Sequence, residues 1–328
     1  MKKITIIISI ATLLFGIACK NNDQTETPLD KEMFTALKQI VNEMDEKIAG
    51  VIEASEASAA KAKAIFEAKK NYGKIEIDRN IYYNDRIGIL SDHGRKMETN
   101  IYVDRKTPLN DYTKWYIQAS EKMLPIWKDN LAKYPYLGWQ YLTETKWDSL
   151  RIFPWVETTM SFGPDVNWKN FGFYLCAKPD SNPMRELRWG RIGSDILGLE
   201  LLSSISIPIY VDDKFVAISS IDFLITQTFK NYLYKTYPGQ NSYIMLINRK
   251  TYQIILRNDK NHGDRGWDVM FDYNYLNKLA EEQPDKVELL NKLAADQQGK
   301  IEIMIPNRKV VYFQKLKNVD WVAAIVAE

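Results

Sequence analysis

The sequence has 328 residues, of which 45% are apolar, 12% aromatic and 26% charged. That balance excludes a disordered chain, a collagen-like fibre and a disulfide scaffold, and it supplies apolar mass for one large or two medium cores. Lys and Arg number 44 against 42 Asp and Glu, a net charge of +2, which argues against a general affinity for nucleic acid. With two His (His93, His262) and two Cys (Cys19, Cys176), little material exists for a metal centre built on those ligands.

Residues 1–18 carry Lys2, Lys3 and no acid, followed by an apolar run of 14 residues from Ile4 to Ile17. A bilayer span needs about 20 residues, so this run reads as an export signal rather than a membrane helix. Without it the basic and acidic residues balance at 42 each. Gly16-Ile17-Ala18-Cys19 resembles the lipobox of bacterial lipoproteins, although Gly16 stands where Leu is usual. The resemblance implies lipidation of Cys19, with residues 19–28 as a polar tether and the mature chain anchored in the bacterial cell envelope. Lys20, where an Asp would resemble an inner-membrane retention signal, favours the outer membrane. The competing reading is an ordinary signal peptide cut after Ala18. Cys176 is then left without a disulfide partner and reads as a small buried hydrophobe between Leu175 and Ala177.

Thr27-Pro28-Leu29-Asp30 is a helix start, with a cap, a first-turn proline and an acid. Leu29, Met33, Leu37, Ile40, Met44, Ile48 and Val51 recur at helical spacing, the alanine-rich stretch 54–64 continues the pattern, and Asn71-Tyr72-Gly73 ends it. The spacing predicts a helix over 29–73. At about 1.5 Å per residue it outruns a single domain, so it must pair with another helix or lie beside two stacked ones. A second helix is expected over 112–131, with Trp115, Ala119, Met123 and Trp127 on one face and a kink at Pro125.

Short aromatic strands follow at 137–142 and 149–155. The runs 203–210 and 214–224 form a hairpin about Val211-Asp212-Asp213, whose acids are turn residues rather than a catalytic pair. After a break at Tyr237-Pro238-Gly239 come a hairpin at 242–257, a helix at 273–295, and strands at 300–305, 309–316 and 321–326. The order is that of an α+β chain built as two antiparallel-sheet modules, 74–236 and 237–328, which repeat a plan without repeating a sequence.

The pattern resembles the double Cache family of bacterial extracellular sensors. The likeness rests on the order of several segments: 135–143 with 150–155, the closest match Ser206-Ile-Pro-Ile-Tyr through to Asp222, then 242–248 and the closing 319–326. It implies a long N-terminal helix followed by two PAS-like modules, with the ligand held in the first, membrane-distal one. Two departures matter. Family receptors usually continue into a second membrane helix and a signalling domain, whereas this chain ends at a strand, which makes a separate signalling partner the expected route of output. The family's amino-acid-binding subset carries Arg-x-Trp-Tyr-x-Asp. The matching region, Asn182 to Arg191, keeps Arg188 and Trp189 but lacks the Tyr and the Asp, so amino-acid specificity does not transfer and only Asp222 carries over cleanly.

A pocket of this kind needs aromatic walls and a few fixed charges. The candidate ligand-binding residues are Trp155, Tyr174, Arg188, Trp189, Arg191 and Asp222, with Trp168 as a further wall. Asp222, in the apolar strand Ala217 to Leu224, either holds a ligand amine or caps a helix starting near Leu224. Arg188 and Arg191 either bind a carboxylate or phosphate or lie on the surface; Trp189 either stacks on a ligand or fills a core. No phosphate loop, zincin or nucleophile-elbow motif is present. His93 reads as a loop residue, and the segment 258–265 around His262 lacks a calcium loop's spacing. No catalytic residue, cofactor or metal is therefore expected. The function that follows is a lipid-anchored extracytoplasmic sensor for an amine, amino acid or organic acid, relaying or capturing it without chemistry. The alternatives are a cell-surface hydrolase or a scaffold whose pocket is filled by side chains.

Overall fold

A computed structural model describes residues 26–68, 75–84, 88–195, 201–239, 241–251, 253–257, 287–304 and 308–327. The expected signal peptide, Cys19, the helix stop at Asn71–Gly73, the segment 258–265 with His262, and the 273–295 helix before Val287 lie outside the described residues.

Helix α1 (Pro28–Glu67) begins in a reciprocal capping box, the Asp30 amide donating to Thr27 Oγ1 at 3.1 Å and the Thr27 amide to Asp30 Oδ2 at 3.0 Å. Met33, Leu37, Ile40, Met44, Ile48 and Val51 are buried along one stripe, while Leu29 at the first turn is 41% exposed. The chain then runs through β1 (Tyr83–Asn84), β2 (Leu90–Ser91), β3 (Asn100–Tyr102), α2 (Asp111–Ala119) and α3 (Leu124–Lys133). The single kinked helix expected over 112–131 is thus two helices joined by a 3-10 turn at Ser120–Met123, with Pro125 in the first turn of α3, where its missing N–H costs nothing.

Next come β4 (Leu137–Glu144), β5 (Leu150–Phe153), α4 (Thr158–Phe162), α5 (Gly172–Ala177), β6 (Arg188–Trp189), β7 (Gly193–Ser194), β8 (Leu201–Val211), β9 (Lys214–Leu224) and α6 (Ile225–Leu233). The last stretch holds β10 (Tyr243–Asn248), β11 (Ile254–Arg257), α7 (Val287–Ala295), β12 (Gln298–Met304), β13 (Arg308–Lys315) and β14 (Trp321–Ala327). The first sheet has the order β3-β5-β4-β9-β8-β6 with β7 also on β8, and the second β11-β10-β14-β13-β12; every pairing is antiparallel. In both, an opening hairpin lies beside the module's last strand (β4 beside β9, β10 beside β14), so the repeat of plan is a repeat of strand order. The β8–β9 turn places Asp212 and Asp213 in the left-handed region, φ 48° and 58°, as a tight hairpin of this hand requires.

One face of both sheets packs along α1 in a continuous core that includes Ile205, Ile221, Phe223, Leu246, Tyr312 and Ile325. Asp45 of α1 clips the β13–β14 turn, accepting from the Lys317 and Asn318 amides at 2.8 and 3.2 Å. The opposite face of the first sheet carries a separate aromatic cluster of Tyr102, Tyr141, Trp168, Phe173 and Tyr174. The site lies on that face.

Candidate functional site

Strand alternation decides which residues reach it. Along β9, Ile221 and Phe223 point to the α1 core while Asp222 faces the other way. The register sets Ser204 opposite Asp222 and Tyr141 opposite Ser220, so Ser204, Tyr141 and Asp222 share a face. They border a cavity of about 380 Å³ walled by Trp139, Leu150, Ile152, Phe162, Trp168, Phe171 and Phe173, with Arg191, Gly193, Ser194 and Asp195 on another side. A volume of that size takes a small organic molecule.

Asp222 is the buried charge of this wall, 8% exposed. Tyr141 donates to its Oδ1 at 3.0 Å and Ser204 donates to the same oxygen at 2.7 Å. Oδ2 receives no hydrogen bond among the described residues. Burial pushes the carboxyl up to about 7; the two hydroxyl bonds work against that rise and the Asp195 charge adds to it. Burial likewise drives the Tyr141 hydroxyl well above its ordinary value, so it remains a donor. The wall therefore presents a carboxylate that a bound cation would stabilise.

The cavity brings together three of the residues picked from sequence, Trp168, Arg191 and Asp222. Trp168 is 2% exposed and meets Tyr102 and Phe162 edge-on at 5.2 and 4.9 Å, while Arg191 is exposed at the mouth. The other four lie off its wall. Arg188, paired with Ser206 on β8, donates to Asn182 Oδ1 at 3.1 Å and meets Glu186 at 3.3 Å. Trp189, one residue on, points to the α1 face and packs on Phe223 and Trp321. Trp155 donates from Nε1 to the Asp92 carbonyl at 3.0 Å under the Arg95 guanidinium. Tyr174 is buried behind the wall, 6.3 Å from Phe215. The helix-capping reading of Asp222 does not hold: α6 is capped by Leu224, without a side-chain bond.

Tyr141, Ser204, Trp139 and Asp195 were not singled out from sequence. Tyr141 and Ser204 had one legible signal, since each sits at the spacing of a residue facing away from an apolar core; what was missing was the strand register that sets them beside Asp222. A larger groove of about 450 Å³ between α1, α3 and α6 is walled by Glu43, Lys47, Tyr232 and Lys235. Two of its charges are already engaged: Lys47 donates to the Thr228 carbonyl at 2.9 Å and Glu43 accepts from Tyr232 at 2.7 Å. Among the described residues no three His, Cys, Asp or Glu side chains are grouped to hold a metal ion, and no helix is long and apolar enough to cross a membrane.

No protein-family model and no curated protein matches the sequence. Solved structures do match it. The periplasmic sensory domain of the Campylobacter jejuni chemoreceptor Tlp1 aligns with TM-score 0.56 at 11% identity, over 90% of this chain and 93% of that one. The ligand-binding domain of the Pseudomonas aeruginosa PAO1 amino acid chemoreceptor PctC, in complex with GABA, aligns with TM-score 0.53 at 13% identity, over 91% and 100%. The ligand-binding domain of Mlp24 with asparagine gives TM-score 0.50 at 14% identity, over 92% and 96%. At such identities the likeness is one of fold: a long helix carrying two PAS-like sheets, the double Cache architecture of extracytoplasmic sensor domains.

Proposed function

We propose that this chain of double Cache fold is a lipid-anchored, non-catalytic sensor protein of the bacterial cell envelope, which binds a small ammonium-bearing molecule in its first module. The observation that carries the reading is Asp222: a buried carboxylate with both hydroxyl donors on Oδ1 and Oδ2 left for a ligand, on the wall of an aromatic cavity. A ligand ammonium would bond to Oδ2 and remove the cost of holding that charge in an apolar site. Arg191 at the mouth suits an acidic group at the ligand's other end, which makes amino acids and ω-amino acids the first compounds to test. The PctC domain is in complex with GABA and the Mlp24 domain with asparagine, compounds of that kind.

In this reading residues 1–18 direct export, Cys19 takes the lipid, 19–28 are the tether, and the modules are 74–236 and 237–328. Closure of the first module on ligand would shift its sheet against α1, for a separate signalling partner to read or simply to retain the ligand. A thermal-shift screen of residues 19–328 against amines, amino acids, organic acids, purines and sugars tests it, because binding to the native state raises the melting temperature. A best hit that responds equally with Asp222→Ala sinks the assignment. One observation favours a second reading: Asp195 borders the same cavity as Asp222, and two carboxylates are what glycoside hydrolysis commonly uses. Chemical analysis of the bound compound after incubation separates the two, since a sensor returns it unchanged.

A further inference from the structure

Strand β4 does not run evenly beside β9. Leu137 pairs with Phe223 and Gln140 with Ile221, so Gly138 and Trp139 together stand against the single residue Asp222. Two residues against one is a β-bulge, a device that re-aims a side chain. Gly138 is what allows it: a Cβ there would lie 2.9 Å from Leu224 Cδ2 and 3.2 Å from both Cβ and the carbonyl oxygen of Asp222. The backbone of β4 thus passes directly over Asp222, and Trp139 enters the cavity wall next to it.

The aromatic wall is otherwise self-engaged. Tyr141 meets Phe173 at 5.0 Å, Phe162 meets Trp168 at 4.9 Å, and Phe171 meets Trp168 at 5.2 Å. Trp139 packs against the edge of this cluster, yet among the described residues it forms no ring pair and no side-chain hydrogen bond, and it is only half-buried. A large ring that borders a cavity beside an ionisable carboxyl, and among the described residues is paired with no other ring, is placed to take a ligand's cation on its face.

The geometry points to Trp139 as the specificity-determining residue of the site, a cation–π partner that with Asp222 selects an alkylammonium group over a neutral group of the same shape; Gly138 is its positioning residue. This rests on the ammonium-binding reading above. The carboxylate supplies the hydrogen-bond acceptor and the indole the polarisable face, so the ligand nitrogen sits between them with its first carbons along the ring.

The test uses residues 19–328 and calorimetric titration with n-butylammonium, γ-aminobutyrate and the neutral isostere 1-butanol. Trp139→Leu is expected to weaken n-butylammonium about tenfold while leaving 1-butanol within about threefold of wild type, and Trp139→Phe is expected to keep most of the affinity. Asp222→Asn is expected to abolish the preference for the charged probe. Unfolding curves without probe, taken for each variant, show whether it is folded, and Trp139→Phe keeps a ring in place should the leucine variant fail. If Trp139→Leu matches wild type while Asp222→Asn loses n-butylammonium, the role of Trp139 is overturned and the ammonium site stands. If Trp139→Leu weakens charged and neutral probes alike, the ring is a packing wall and the proposal is overturned. If wild type binds neither amine up to about 10 mM, both readings fall.

Discussion

Trp189 and Trp321 pack with ring centroids 5.3 Å apart and planes at 57°, joining the edge of the first sheet to the opening residue of β14 in the second. Trp189 also meets Phe223 edge-on at 5.9 Å, and Phe223 follows Asp222 in the chain. One strand thus carries the cavity carboxylate on one face and this joint on the other. Trp189→Ala leaves a void against Trp321, which is 2% exposed, and should lower the unfolding free energy by about 2–4 kcal/mol, with Trp189→Phe recovering part of it. Urea titration followed by circular dichroism measures this; a loss below about 0.5 kcal/mol would mean that the two sheets do not depend on the joint.

Asp222 makes the ligand-free protein pH-dependent. Its carboxyl is raised from 3.8 to about 7, chiefly by burial, so between those values the native state holds a proton that the unfolded chain has lost. Stability from this group is therefore complete below the unfolded value and declines as pH rises toward 7. The full shift corresponds to at most about 4 kcal/mol. Asp222→Asn should flatten the profile and be more stable than wild type at pH 8, provided no ligand is present. An ammonium ligand selects the ionised form, so its apparent Kd should weaken by about tenfold per pH unit below 7. A pH-independent Kd between 5 and 8 would contradict the role given to Asp222.

Local pattern made much of the fold legible. The Thr27–Asp30 box and the stripe from Met33 to Val51 define α1, and the paired acids at 212 and 213 define the β8–β9 hairpin, because each depends on neighbours within a few residues. The site was harder. Arg188 and Trp189 look equivalent in sequence, yet the two-residue strand β6 sends Trp189 to the α1 core and Arg188 to Asn182. Tyr141 and Ser204 join Asp222 only through a register between strands that lie 60 or more residues apart for the β4 member, and the bulge that places Trp139 leaves no local mark beyond one glycine. Non-local pairing, rather than residue type, made the difference.

Arg151 is fully buried in β5, an unusual place for a guanidinium. It donates to Ser120 Oγ at 3.1 Å, Thr99 Oγ1 at 3.3 Å, the Tyr82 hydroxyl at 3.2 Å and the Ile117 carbonyl, with Glu121 at 3.8 Å. The fork ties β5 to the 3-10 turn between α2 and α3 and to the segment before β1. A lysine has a single nitrogen and cannot span those acceptors. Arg151→Lys should therefore cost about 3 kcal/mol, as would Arg151→Ala, whereas an exposed pair such as Lys128–Glu98 should cost under about 1 kcal/mol when broken. Denaturant midpoints that rank these variants in the opposite order would show that the buried network contributes little.

Gly50 lies buried in the middle of α1, where glycine costs about 1 kcal/mol of helix propensity relative to alanine. Its reason is the close approach of two tyrosines: a Cβ would stand 2.5 Å from Tyr136 Oη and 2.6 Å from Tyr134 Cε1. Neither ring is at liberty to move. Tyr136 donates to the Lys47 carbonyl at 2.9 Å and Tyr134 donates to Glu53 Oε2 at 2.7 Å, so both are fastened to the same helix they cross. Gly50→Ala thus gains propensity and loses packing, and overpacking of this kind typically costs about 1–3 kcal/mol, enough to decide the sign. The variant should unfold at lower urea than wild type. Adding Tyr136→Phe removes the nearest atom and should recover part of the loss, a non-additivity that reports direct contact. A Gly50→Ala protein more stable than wild type would mean that α1 and the Tyr134–Tyr136 segment can separate by several tenths of an ångström at no cost, and that propensity alone governs this turn of the helix.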